Sequence, residues 1–259
     1  MAARFVIFFV STVLVLSEST FVEPRTKCNS RDSECLKNYF QSVIRMASKN
    51  GIPEMRIPPF DPTIIKNYQT NITDWIQLEM LDGIGTGGKT CTINKFFLNV
   101  PKSFGSIDFV CDLEVHGHYK AFSDSYLIRN LLNGDVIHGE GNGFVKLEKV
   151  RFVIDFPFNV VSHGGDTYLN TDFSQSQYSF NILRGLVFGA DNLYLGEQEA
   201  SATIINTMNQ HWQMIAVATG PAIFKSIFKY IFHIGQIFFQ CAPVNTYLTD
   251  DLTPYAIVY

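Results

Sequence analysis

The chain has 259 residues, 46% of them apolar, with a net charge of −4 and 23 phenylalanines. It is long enough to bury a sizeable core without depending on disulfides. No basic block is present, which argues against a nucleic-acid partner, because phosphate binding needs clustered Lys and Arg.

Arg4 opens a leader whose apolar stretch runs from Phe5 to Leu16. The stretch is too short to span a bilayer and polar residues follow at once. It reads as a signal peptide, residues 1–19, cut near 17–20. Residues 20–259 then form a single secreted, extracellular domain in which disulfides are permitted.

Cys28 and Cys35 are close enough to staple the extended lead segment to the helix that follows. Three cysteines remain, Cys91, Cys111 and Cys241, so at least one lacks an intramolecular partner. Cys111 falls on the apolar face of a strand and reads as a buried, inert thiol. No second pair stands out.

Ser33 to Lys49 reads as a helix, with Leu36, Tyr39, Phe40, Val43 and Met46/Ala47 at helical spacing. Asp32 or Ser33 caps its start and Asn50-Gly51 ends it. Prolines 53, 58, 59 and 62 then make a stiff connector. Asn71-Ile72-Thr73 is an N-glycosylation acceptor in an exported chain.

From Trp75 to Phe173 the apolar period is two. Ile76, Leu78 and Met80 alternate with polar residues, as do Ile107, Phe109, Cys111, Leu113 and Val115. Val150, Phe152, Ile154, Phe156 and Phe158 continue the pattern. Turn signals fall at Asp82-Gly83, Pro101–Gly105, Asn133-Gly134 and His163-Gly-Gly-Asp166. The reading is an antiparallel meander with one polar and one apolar face.

The period changes after Asp191. Ile204, Ile205, Met208, His211, Trp212, Ile215 and Ala216 share one broad helical stripe, which places His211 in the core. Gly220-Pro221 marks a kink or restart. Beyond it Lys225, Lys229, His233 and Gln236 form a narrow polar line on an otherwise apolar helix. Those charges argue against a membrane span. A helix so widely apolar is expected to be largely wrapped, held in the concave face of the curled sheet.

Several motifs point elsewhere and lack their context. Gly83-Ile-Gly-Thr-Gly-Gly-Lys-Thr90 matches a phosphate-binding loop, but a strand pattern follows it where a helix is required. His116 and His118 share a strand face with no fixed carboxylate nearby, and surface histidines are the better reading. His163-Gly-Gly has the composition of an oxyanion loop, yet no GxSxG elbow accompanies it.

Taken together, the sequence resembles the insect juvenile hormone-binding protein and takeout family. The matching pieces are the leader, Cys28-x6-Cys35, Gly51-Ile-Pro-Glu54, Ile57-Pro-Pro-Phe-Asp-Pro62, a Gly139-Glu-Gly-Asn-Gly143 turn, Leu186-Val-Phe-Gly189 and Asn209-Gln-His-Trp212. The resemblance implies an α+β fold, a strongly curved antiparallel sheet wrapped around a long C-terminal helix with an apolar tunnel. It implies a carrier of a lipophilic molecule, without enzymatic activity or cofactor. The hormone-binding branch is expected to carry a second disulfide, and the lack of an evident pair makes the chain takeout-like.

Phe97, Phe109, Leu113, Val115, Phe152, Met208, Trp212 and Ile215 are the expected wall, with Tyr119 and Tyr126 as donors to an ester, epoxide or carbonyl oxygen. The expected function is a secreted monomer that sequesters a juvenile hormone-like terpenoid, a fatty acid or a similar lipophile. Haemolymph transport and circadian or feeding roles are what the family suggests. The alternatives are a solid-core protein acting through surface contacts and, behind it, a hydrolase.

Overall fold

The computed structural model describes residues 26–72, 76–126, 129–130 and 135–258. The leader, its cleavage point, Thr73, Trp75 and the Asn133-Gly134 turn lie outside the described residues.

Helix α1 (Ser33–Asn50) forms where its caps place it. The Asp32 carboxylate accepts the Cys35 N–H at 2.9 Å, and Glu34 and Lys49 sit at the ends that suit the helix dipole. Gly51 stops the helix at φ 68°. A Cβ there would stand 2.4 Å from the Ile57 carbonyl oxygen, so only glycine fits. Leu36, Tyr39, Phe40, Val43 and Ala47 are buried as the spacing predicts. The Cys28–Cys35 disulfide ties the lead segment to the first turn.

Among the described residues ten strands form one connected sheet. They are β1 (Thr63–Ile72), β2 (Ile76–Thr86), β3 (Thr92–Asn99), β4 (Phe104–Ser123), β5 (Ile137–His163), β6 (Asp166–Thr171), β7 (Gln177–Ala190), β8 (Leu193–Leu195), β9 (Gln198–Glu199) and β10 (Ala256–Val258). The path is β1-β2-β4-β5-β8-β9, with β3 on β4 and β6, β7 and β10 on β5. Among the described strand pairs only β10–β5 is parallel.

The spine is two long strands, of 20 residues in β4 and 27 in β5. Asp82-Gly83 is therefore paired strand, next to a bulge at Leu81 inside β2, and not a turn. Gly139–Gly143 likewise runs straight through β5. β5 bulges again between Glu148 and Val150, where Lys149 has φ 54°. The extra residue switches its inward set from odd positions (139 to 147) to even ones (150 to 160). Such bulges add local twist and bend.

The cysteine reading needs correction. Cys111 is not a free thiol; it is bonded to Cys91. The β3–β4 hairpin pairs Thr92 with Val110, so the next residues out, Cys91 and Cys111, face each other with Cα atoms 4.1 Å apart. Cys241 alone is free, and exposed. The bridge spans 20 residues, so replacing both cysteines by serine should lower stability by about 3 kcal/mol. Urea unfolding of the oxidised wild type against Cys91→Ser/Cys111→Ser measures it, and an unchanged midpoint would show that the hairpin is held by pairing alone.

Between β9 and β10 lie the helices α2 (Ser201–Gln210), α3 (Trp212–Cys241) and α4 (Val244–Tyr247). The restart falls at His211 and α3 runs through Pro221, which is exposed. Gly220 allows close approach to β7: a Cβ there would lie 2.7 Å from the Phe180 ring. By length and composition α3 is apolar enough to cross a membrane, but here it packs on the sheet by one face. Ala216, Thr219, Gly220, Phe224, Phe228, Phe238 and Phe239 are buried against the sheet and α1 side. The helix lies against the sheet as expected, with an exposed ridge at Met214, Val217, Pro221, Lys225, Lys229 and His233 on its outer side.

The main core joins α1, β3, β4, β5, α3 and α4. Phe40 stacks on Phe96 at 4.0 Å, and Phe152 meets Phe109, Phe224 and Phe228. A second, smaller cluster (Tyr119, Leu193 and Ile204) lies towards the other end of the sheet.

Candidate ligand-binding interior

Pairing across β4, β5 and β7 arranges inward residues in rows. Leu113–Leu147–Leu186 closes the main cluster, with Leu147 and Leu186 each 7% exposed. One step further is Val115–Val145–Phe188, then Gly117–Gly143–Ala190. All six of these residues are only half-buried, although they point inwards. One further step brings Tyr119, 5% exposed, in the second cluster. The inward rows are thus buried at both ends and half-buried between them.

The glycine motif explains part of this arrangement. Gly139, Gly141 and Gly143 all lie on the inward side of β5. A Cβ on Gly141 would stand 2.1 Å from an Asp191 carboxylate oxygen, and one on Gly143 would stand 3.1 Å from the Tyr119 ring. Their bare backbone lets the β7–β8 connection fold over the strand. Asp191 then accepts the Asn142 N–H at 2.7 Å on its carboxylate. Its carbonyl accepts the Tyr119 hydroxyl at 2.6 Å.

That bond changes the role of Tyr119. Its proton is already committed to Asp191, so the phenol oxygen is left as an acceptor towards the interior. Burial, and then the Asp191 charge, push its pKa up to about 12. The group therefore stays neutral at physiological pH.

The remaining expected residues divide into three groups. Phe109 (6% exposed) and Phe152 (0%) are in the solid main cluster and face ring partners. Leu113 and Trp212 pack at that cluster's margin, and Met208 at the margin of the second. Val115 and Ile215 are half-buried. Phe97 and Tyr126 are misplaced. The inward row of β3 is Ile93, Phe96 and Leu98, and Phe97 stands on the other face under Lys95, whose Nζ is 5.5 Å from its ring centre. The bulge between Ile93 and Lys95 shifts the register there. Tyr126 is 76% exposed.

Sequence reasoning did not place Val145, Phe188, Gly117 or Gly143 at the wall. Asn209 stood only within a motif; its amide clamps the Phe188 backbone, accepting its N–H at 2.8 Å and donating to its C=O at 3.0 Å. The pair fastens α2 to β7 beside the half-buried rows. Asn209→Ala should cost about 1–3 kcal/mol by leaving these backbone groups unpaired. Faster hydrogen exchange at the Phe188 amide would report it, and unaltered exchange would mean that packing alone holds α2.

The other motifs resolve locally. Gly83–Thr86 is strand, and the N–H groups of Gly87 and Lys89 donate to the Asp61 carboxylate at 3.3 and 2.8 Å. The loop's donors are met by its own chain. His211 is exposed at the α2–α3 break and is not a core residue. His118 Nε2 lies 3.6 Å from Glu140. Among the described residues no three His, Cys, Asp or Glu gather as metal ligands. A groove of about 220 Å³ touches the second cluster at Leu78 and Ala121; it falls below the roughly 300 Å³ of an ordinary small-molecule pocket.

A large antiparallel sheet with a long C-terminal helix laid across its apolar face defines an α+β protein built around its interior. The chain belongs to the haemolymph juvenile hormone binding protein family, whose model matches residues 5–249. Its fold is similar to the crystal structure of Takeout 1 from Epiphyas postvittana, with a TM-score of 0.76 at 22% identity, over 88% of this chain and 100% of that one. Comparison with curated proteins returns no match. The Cys91–Cys111 bridge removes the ground on which the sequence separated the two branches of the family.

Proposed function

We propose that this chain is a secreted carrier that holds a small lipophilic molecule in its interior, between the two apolar clusters. The supporting observation is the half-buried state of inward residues at Val115, Val145, Phe188, Gly117, Gly143 and Ala190. A continuous packed core would bury them as it buries Leu147 and Val150. An elongated apolar molecule gains about 0.8 kcal/mol for each CH2 it buries, so a chain of a dozen carbons reaches micromolar affinity after association costs.

Leu113, Val115, Val145, Phe188, Trp212 and Met208 form the wall in this reading. Tyr119 closes one end and accepts a hydrogen bond from a ligand hydroxyl, or from a carboxylic acid kept protonated by its apolar surroundings. This favours hydroxylated terpenoids and fatty acids bound in their neutral form over pure esters, whose oxygens only accept. Chemistry on the ligand has no place in the scheme.

Organic extraction of natively purified protein, followed by mass spectrometry, tests the proposal together with titration by a fluorescent fatty acid. Saturable binding displaced by unlabelled lipophiles is expected. Failure to extract or load any lipophile would sink it.

A further inference from the structure

We propose that the outer ridge of α3 docks on the surface of an anionic lipid bilayer. This rests on the helix's solvent side and does not require the carrier reading.

The ridge runs Met214, Val217, Pro221, Lys225, Lys229 and His233, at spacings of three and then four residues, all exposed. Its first half is apolar. Val217 is 78% exposed and Met214 53%, and neither covers any part of the buried clusters. Its second half is basic. The ion pairs among the described residues engage Lys37, Lys120, Lys146, Lys149, Arg129, Arg151 and His118. They leave Lys225 and Lys229 unpaired. Tyr230, 37% exposed, flanks the lysines.

Charge is segregated as well as exposed. The whole chain has 24 acidic residues and a net charge of −4, yet none of them falls between positions 200 and 249. The α2–α3–α4 segment therefore presents a cationic surface on an acidic protein. An exposed ridge that is apolar at one end and lysine-bearing at the other matches a helix lying in a headgroup layer. Val217 and Met214 would enter the acyl boundary, while the lysine stems lie along it and their ammonium groups meet lipid phosphates and carboxylates. An acidic protein surface would satisfy the lysines but leave the apolar end uncovered.

Vesicle co-sedimentation decides the matter, with phosphatidylcholine vesicles compared to phosphatidylcholine–phosphatidylserine vesicles at low and high salt. Wild type should bind the anionic vesicles, weakly the neutral ones, and lose binding as salt rises. Lys225→Glu/Lys229→Glu should reduce partitioning by roughly tenfold or more. Val217→Asp should also reduce it, with the circular dichroism of both variants unchanged because the sites are exposed. Lys89→Glu/Lys102→Glu makes the same change in net charge elsewhere and should bind as wild type does. Absence of binding to anionic vesicles, or equal loss in both double variants, overturns the proposal. Capture only by an acidic polypeptide matrix would overturn it in favour of a protein partner. Lipid extraction from the interior reads the carrier function separately, so the two can fail independently.

Discussion

Val145→Trp should reduce binding of a lipophilic probe by about 100-fold or more while leaving the protein folded. The side chain points inward from the middle of β5 and is only half-buried, with Val115 and Phe188 beside it. An indole in that space would displace some four CH2 groups of a ligand, worth about 3 kcal/mol, or two powers of ten in affinity. The informative comparison is Leu147→Trp, two residues along the same face. Leu147 is 7% exposed and inside the main cluster. Overpacking there should cost about 1–3 kcal/mol. Thermal melting with probe titration separates the two sites. If Val145→Trp melts as low as Leu147→Trp, the middle level is packed and the carrier reading loses its foundation.

Phe152→Ala should be the most damaging single truncation. Phe152 is 0% exposed and its ring lies 5.2 Å from Phe109, 5.6 Å from Phe224 and 5.5 Å from Phe228. It therefore fastens β4, β5 and α3 at one point. Loss of the ring leaves a cavity that the surrounding strands cannot close, at a cost of about 3–5 kcal/mol. Against a total of about 5–15 kcal/mol, this is a large share of the stability. Phe104→Ala, at a residue 37% exposed, should cost much less. Urea denaturation of both variants tests the contrast; similar midpoints would mean that the main cluster collapses readily around Phe152.

Local features of the chain were readable because their causes are local. Asp32, the apolar stripe of α1 and Gly51 each act within a turn of where they stand. Alternation exposed the sheet because one side of each strand is buried. The second disulfide was not legible from counting alone. The register next to the β3–β4 turn puts position 91 opposite 112, and the bulge between Ile93 and Lys95 moves Cys111 into line with Cys91. The pairing also needed β3 and β4 to be treated as partners, and cysteine spacing alone does not say so.

The candidate site was less legible. Phe97 and Phe96 are adjacent, and a bulge decides which of them points in. A single inserted residue, Lys149, reverses the inward parity of β5. Tyr119 carries a hydroxyl that any reader would take as a donor, until Asp191, distant in sequence, claims the proton.

The sequence by itself determined the elements, the two-faced sheet, the broad apolar helix and the family, because these follow from short-range periodicity and ordered motifs. Only the tertiary structure decided which inward side chains are buried and which are half-buried, and which side of α3 meets water. Both depend on the register and curvature of strands far apart in the chain. Burial is a property of neighbours, and a one-dimensional pattern records which face is greasy without recording what stands opposite it.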